Sequence, residues 1–193
     1  MSDILLQALV FLINTAFDVY LYILVIRVLL VWVHADYTLP ITQFIITTTT
    51  FIIKPMRKFI PDYRRIECAT LALIFIVAMV KYLLIIALTF GFSHATSALG
   101  IVILAIADPI RCLITILSVA ILFQALLSWI QPHTRINNVL VSLTAPVMQP
   151  LQRVIPPVGG LDITPIIALV LLQLIMIVFV TPILGQGWSI ALS

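Results

Sequence analysis

The sequence predicts an all-α membrane protein: four transmembrane helices in two parallel repeats, each with an interfacial amphipathic helix and a Pro-rich turn on the cytoplasmic side. Three observations carry this. Of 193 residues, 63% are hydrophobic and 9% are charged, far below the charged fraction of about 25% that coats a soluble globule. The apolar runs at 4–33, 68–90, 110–130 and 164–184 each reach the roughly 20 residues that cross about 30 Å of hydrocarbon. The pattern of the first half also recurs 95 to 97 residues later.

The first span, at about 8–33, follows Met-Ser-Asp with no basic leader, and Trp32-Val33-His34-Ala35 is no small-residue cleavage site. A cleaved signal peptide is therefore not expected. Loop 34–67 carries Lys54, Arg57, Lys58, Arg64 and Arg65, and loop 131–163 carries Arg135 and Arg153. The first ten residues, 91–109 and the tail after 184 have no Lys or Arg. Basic residues in short loops stay cytoplasmic, so both long loops are expected in the cytoplasm and both termini outside it, in a bacterial inner membrane. Cys68 and Cys112 fall near opposite faces of that membrane, and a bridge between them is not expected.

An offset of 97 lays IRVLLVWV (26–33) on FQALLSWI (123–130), pairing Trp32 with Trp129; an offset of 95 lays TTFIIKPMRKFIP (49–61) on TAPVMQPLQRVIP (144–156). The same slip sets Glu67 against Asp162. The repeats are read as 1–96 and 97–193. Two spans per repeat is an even number, so the copies run parallel about an axis along the membrane normal. Between Trp129 and Pro150, Ile136, Leu140, Leu143 and Val147 recur at helical spacing, which predicts an amphipathic helix lying in the interface. Pro146 and Pro150 are expected to limit it. The first copy has Phe44, Ile45, Ile52 and Met56 at similar spacing, but TTTT at 47–50 lowers helix propensity and favours an irregular segment.

The second span is read at 68–90 and the fourth at 164–184. Asp108-Pro109 makes a good N-cap and first-turn pair, so the third span is read from 109 to 130, with 98–107 an outer half-helix or re-entrant piece. A tilted continuous helix is the alternative. In the Pro-rich turn before the fourth span, Pro156-Pro157 enforces a non-helical path, Gly159-Gly160 allows a close backbone approach, and Asp162 and Thr164 offer N-caps.

Charges inside a bilayer mark function by default. Asp18 lies 14 residues before Trp32 and Lys81 lies 13 after Cys68, so both sit about 20 Å from the cytoplasmic ends of antiparallel helices, and the spacing predicts that they face each other. Such a pair serves as an ion site or, more often, as a helix-docking contact. Arg27 is expected to snorkel to the headgroups. Lys54, Arg57, Lys58, Arg153, Pro156, Pro157, Gly159, Gly160 and Asp162 form the expected lipid or partner surface, with anionic headgroups as the nearest partner for the basic residues. Glu67 and Asp162 are expected to favour helix N-termini through the dipole. Trp32 and Trp129 are expected aromatic anchors. His34 and His133 follow the matched Trp residues, which makes a haem or metal role conceivable, but no ligand motif accompanies them. No GxSxG, phosphate loop, dinucleotide fingerprint or paired intramembrane carboxylates is present, so no catalytic residue, metal, cofactor or nucleic acid partner is expected.

LLSWIQP followed by LTAPVMQPLQRVIPPVGGLDITPIIALVLLQ resembles the signature of the YggT family, also called YlmG in Gram-positive bacteria and plastids. VLLVWVH with KPMRKFIPDYRRIE is a degenerate first copy, with Asp62-Tyr63-Arg64-Arg65 in place of Pro-x-Gly-Gly. The resemblance implies a small integral membrane protein associated with osmotic or ionic stress tolerance, cell division or envelope shape; related plastid proteins act in haem attachment to a cytochrome b and in nucleoid organisation. The leading expectation is a non-enzymatic assembly or scaffold factor that contacts lipid headgroups and a membrane protein partner or a second copy. The alternatives are a transporter or channel component in osmotic or ion homeostasis, and a haem or cofactor assembly factor.

Overall fold

In the computed structural model, which describes residues 2–33, 40–57, 67–91, 97–130, 134–155 and 162–192, every regular element is helical among the described residues. The elements are α1 (Ser2–Trp32), α2 (Pro40–Met56), α3 (Cys68–Phe90), α4 (Ala98–Ile130), α5 (Arg135–Val154), α6 (Thr164–Ile175) and α7 (Thr181–Ala191), with a π-helical turn, Met176–Val180, joining the last two. Four helices are long and apolar enough to cross a membrane: Ile4–Trp32, Cys68–Phe90, Ala98–Ser128 and Thr164–Ala191. The chain is a multi-pass membrane protein. α4 is the hub and packs on α1, α3, α5, α6 and α7.

Three expectations about helix ends are corrected. α4 runs unbroken through Asp108-Pro109, because Asp108 does not cap a helix: its carboxylate is fully buried and bonded to Lys81 and Arg111. Apolar packing continues on both sides of it through Ile101, Leu104, Cys112 and Ile114, so nothing favours a break, and membrane helices tolerate such a proline. α5 runs through Pro146 and Pro150. These lie four residues apart on one exposed face, so the two backbone hydrogen bonds that they remove are lost on the side away from the core. The threonine run does not break α2 either. Thr49 and Thr50 turn their hydroxyls back onto the Ile45 and Ile46 carbonyls, so the polar side chains are satisfied within the helix.

The fourth span also extends past 184. Pro182 cannot donate to the turn before it, and the π turn absorbs the mismatch, with Thr181 Oγ1 donating to the Met176 carbonyl at 3.0 Å. The continuation, α7, lies closely on α4. A Cβ at Gly100 would collide with the Ala191 backbone, and one at Gly187 would sit 2.9 Å from Leu104.

Arg27 also departs from expectation. It does not snorkel: it is 3% exposed. Its Nε donates to Glu67 Oε2 at 2.9 Å, and Nη1 donates to Thr49 Oγ1 at 2.6 Å, Thr50 Oγ1 at 3.0 Å and the Ile46 carbonyl at 3.0 Å. Arg57 closes on Glu67 from the end of α2. The network fastens α2 to α1 and α3. A guanidinium has five donors in a fixed fork, and the chain supplies acceptors nearby, so reaching for water gains nothing. Glu67 makes no side-chain capping bond at α3 and serves as counter-ion instead, bonded also by Thr70 at 2.7 Å.

The second repeat rebuilds this clasp without cations. Gln124 stands at the place of Arg27, Thr144 at that of Thr49, Gln152 at that of Arg57 and Asp162 at that of Glu67. Thr144 donates to Gln124 and to the Leu140 carbonyl, as Thr49 bonds with Arg27 and the Ile45 carbonyl. Gln152 Nε2 donates to Asp162 Oδ2 at 3.1 Å, as Arg57 does to Glu67, while Asp162 Oδ1 accepts from the Thr164 N–H at 2.9 Å. Both acids titrate below the ordinary range. For Glu67, burial works upward but the bonds from Arg27 and Thr70 and the charges of Arg27 and Arg57 outweigh it. For Asp162, slight burial is outweighed by the hydrogen bonds from Thr164 and Gln152.

Two predictions follow from this packing. Gly100→Val should force α4 and α7 apart and lower stability by about 1–3 kcal/mol, whereas Gly185→Ala, where a Cβ meets nothing within 4 Å, should be neutral or stabilise by up to about 1 kcal/mol; thermal unfolding in detergent reads both. Glu67→Gln leaves a buried guanidinium short of its counter-ion and should cost about 3–5 kcal/mol at pH 7, against about 1 kcal/mol for Asp162→Asn. The Glu67 carboxyl titrates lower folded than unfolded, so its stabilisation is complete above the ordinary value of 4.5 and is lost as pH falls from there through the depressed folded value. The gap between the wild-type chain and Glu67→Gln should therefore be constant near neutrality and shrink below about pH 4.5.

A charged cluster under a cavity as candidate functional site

Four ionisable side chains meet inside the bundle. Lys81 Nζ of α3 lies 2.6 Å from Asp18 Oδ1 of α1 and 2.7 Å from Asp108 Oδ2 of α4. Arg111 follows Asp108 by one turn, donating from Nε to Asp108 Oδ1 at 2.7 Å and from Nη2 to Asp18 Oδ1 at 3.0 Å. Lys81 and Asp108 are 2% and 0% exposed, while Asp18 and Arg111 keep 19% and 30%. Counted from the helix ends, Lys81 and Asp108 lie about 15 Å deep, within hydrocarbon. Two acids and two bases cancel there, which is the condition for keeping any of them charged.

Local sequence makes the meeting feasible. Asp108 and Arg111 are three apart and share a helix face. Ala78, Ala105, Ala107 and Cys112 are all buried around them, and such small side chains let membrane helices approach closely. Lys81 has no slack, with Asp18 and Asp108 on two sides and the Tyr82 ring centroid 5.0 Å away on a third.

A cavity of about 600 Å³ opens above this cluster. Asp18, Lys81 and Arg111 form its polar end; it extends past Asn14 and Phe11 of α1 toward Gln7, Thr89 and Trp188, the end of the bundle where α1 starts and α3 and α7 finish. Trp188 meets Tyr82 edge to face at 5.7 Å and ties α7 to α3 along this wall. A second, apolar groove of about 860 Å³ lies between the repeats, with Tyr22, Ile26, Thr42, Phe123 and Leu140 among its walls.

The structure thus brings Asp18 and Lys81 together, and adds two groups that the sequence reading missed, Asp108 and Arg111. Arg111 carried a signal: a basic residue inside an apolar run is itself an intramembrane charge. Asp108 carried a misleading one, since Asp-Pro reads as a helix start. Lys54, Arg57 and Arg153 are exposed at the ends of α2 and α5, and Trp32 is 47% exposed at the end of α1. Lys58, Pro156, Pro157, Gly159, Gly160, His34 and His133 lie outside the described residues, as does the side chain of Trp129.

Comparison with known proteins places this architecture. A protein in the proC 3′ region of Vibrio alginolyticus is 32% identical over 84% of this chain and 88% of its own. YggT of Escherichia coli strain K12 is 29% identical over 88% of each chain, and a Haemophilus influenzae protein is 27% identical over 88% of this chain and 89% of its own. No solved structure matches the chain. The sequence model of the CCB3/YggT family matches twice, over residues 6–88 and 103–183, once on each half. The chain belongs to the CCB3/YggT family.

Proposed function

We propose that the protein is a non-catalytic scaffold of the bacterial inner membrane, with both termini outside the cytoplasm, which presents α2 and α5 as two fixed platforms to anionic lipid headgroups and to a membrane protein partner or a second copy. The observation that carries this reading is the duplicated clasp. Each platform helix is tied back to the preceding span and to the acid before the next one, by Arg27, Thr49, Arg57 and Glu67 in one half and by Gln124, Thr144, Gln152 and Asp162 in the other. Retaining the same contacts with different chemistry means that platform position matters more than the ionic bond. The platforms also leave apolar side chains outward, Phe51 at 85% and Val154 at 80% exposure, beside the exposed Lys54, Arg57 and Arg153. That pairing of apolar and basic groups suits an anionic interface.

Transport is the second reading, supported by the cavity that leads to the charged cluster. Against it stands the packing around and beyond the charges, where Leu21, Leu24, Ala78, Ala105 and Cys112 are all 0% exposed; passage would require repacking that core. A haem or cofactor assembly role rests on His34 and His133 and has no observation of its own here.

A photo-crosslinking residue placed at Phe51 or Val154 in native membranes should yield a discrete protein adduct, with self-adducts marking a second copy, while one at the outward-facing Leu83 of α3 should label lipid. Labelling of lipid alone from both platforms would sink the scaffold reading. In parallel, liposomes carrying the wild-type chain and those carrying Asp18→Asn with Lys81→Met should show the same low ion permeability. Flux in the wild type that the double substitution abolishes would establish transport instead.

A further inference from the structure

We propose that the cavity above the charged cluster binds a small zwitterion bearing a primary ammonium and an acid oxyanion, the chemistry shared by a free amino acid and a phosphatidylethanolamine headgroup. This goes beyond the scaffold reading, since the cavity lies at the opposite end of the bundle from the platforms.

The first support is the valence left over at the cavity floor. Asp18 receives both Lys81 and Arg111 on Oδ1, and Oδ2 holds no hydrogen bond among the described residues. Arg111 spends Nε and Nη2 on the two carboxylates, and Nη1 likewise holds none. Asp18 and Arg111 are the two partly exposed members of the cluster, and both line the cavity. The floor therefore presents one anionic acceptor and one cationic donor side by side. Lys81 and Asp108 have no such spare capacity: they are buried and bonded to their opposite charges on both sides.

The second support is charge balance. With two acids and two bases the cluster is neutral, and a bound ion of either sign would leave a net charge within hydrocarbon, where solvation cannot compensate. A zwitterion adds none: its ammonium meets Asp18 Oδ2 and its oxyanion meets Arg111 Nη1, both charge-assisted hydrogen bonds. The walls suit the remainder of such a ligand. Phe11, Tyr82 and Trp188 offer apolar aromatic surface, and Asn14 and Thr89 offer neutral hydrogen-bonding groups. About 600 Å³ falls within the range of small-molecule sites.

The test is calorimetric titration of the full chain in nanodiscs of phosphatidylglycerol alone, with glycine and L-alanine as probes and acetate and methylammonium as single-charge controls. Saturable binding of the amino acids and none of either control is expected. Asp18→Asn with Arg111→Gln keeps the cluster neutral and should weaken binding at least about tenfold, the scale of a lost charge-assisted bond. Val10→Phe narrows the cavity wall without touching a charge and should also weaken binding, which keeps the test decisive if the double variant does not fold. Replacing part of the phosphatidylglycerol by phosphatidylethanolamine separates the two sources: headgroup occupancy would show as competition with glycine, solute occupancy as unchanged glycine binding. Acetate or methylammonium binding as tightly as glycine, amino-acid binding that survives both variants, or no saturable binding of any amino acid would each overturn the proposal.

Discussion

The bond of Lys81 to Asp18 and Asp108 is the constraint on which the bundle's arrangement turns. A charge within hydrocarbon persists only if an opposite charge meets it at hydrogen-bond distance, and here one ammonium serves carboxylates from two other helices at 2.6 and 2.7 Å. Those bonds fix α1, α3 and α4 at one height and one rotation. They also explain why α4 stays helical through Pro109, since a break there would pull Asp108 away from the cation that neutralises it.

Next to this centre the clasps show what a duplicated fold retains. Arg27 and Gln124 differ by a full charge, yet each bonds a threonine on the following interfacial helix; Arg57 and Gln152 differ likewise, yet each bonds the acid before the next span. Burial decides how much charge each site carries. Glu67 is buried, and an unpaired carboxylate there would be costly, so cations surround it. Asp162 is exposed, and an amide together with a backbone N–H satisfies it.

The repeat, the spans and the approach of Asp18 to Lys81 were legible in the sequence because they depend on counting: an offset, a run length, a depth along a helix. What escaped depends on partners far along the chain. Asp108 followed by proline has the same local signature whether it caps a helix or pairs with a lysine 27 residues earlier. Arg27 near a helix end looks free to snorkel until Glu67, 40 residues on, and the threonines of α2 are placed beside it. The prolines of α5 read as breakers because the local sequence does not show which side of the helix they occupy; spaced four apart, both lie on its exposed side, so the two backbone hydrogen bonds that they remove are lost away from the core.

Covalent linkage of the two repeats has a consequence for the site itself. Two identical chains about a symmetry axis must place the same residues at both equivalent positions. In this chain the counterparts of Asp108 and Arg111 are Phe11 and Asn14, and those of Asp18 and Lys81 are Thr115 and Met176, so the charged centre is built once. Each repeat contributes one acid and one base, and the cross-bonds Lys81 to Asp108 and Arg111 to Asp18 join the halves. Phe11 and Asn14, freed from carrying charge, line the cavity beside the cluster. The halves thus carry one set of buried charges rather than two, which spares the penalty of burying a second set in the bilayer, and they leave a single asymmetric pocket at the end of the bundle opposite the two clasped helices, α2 and α5.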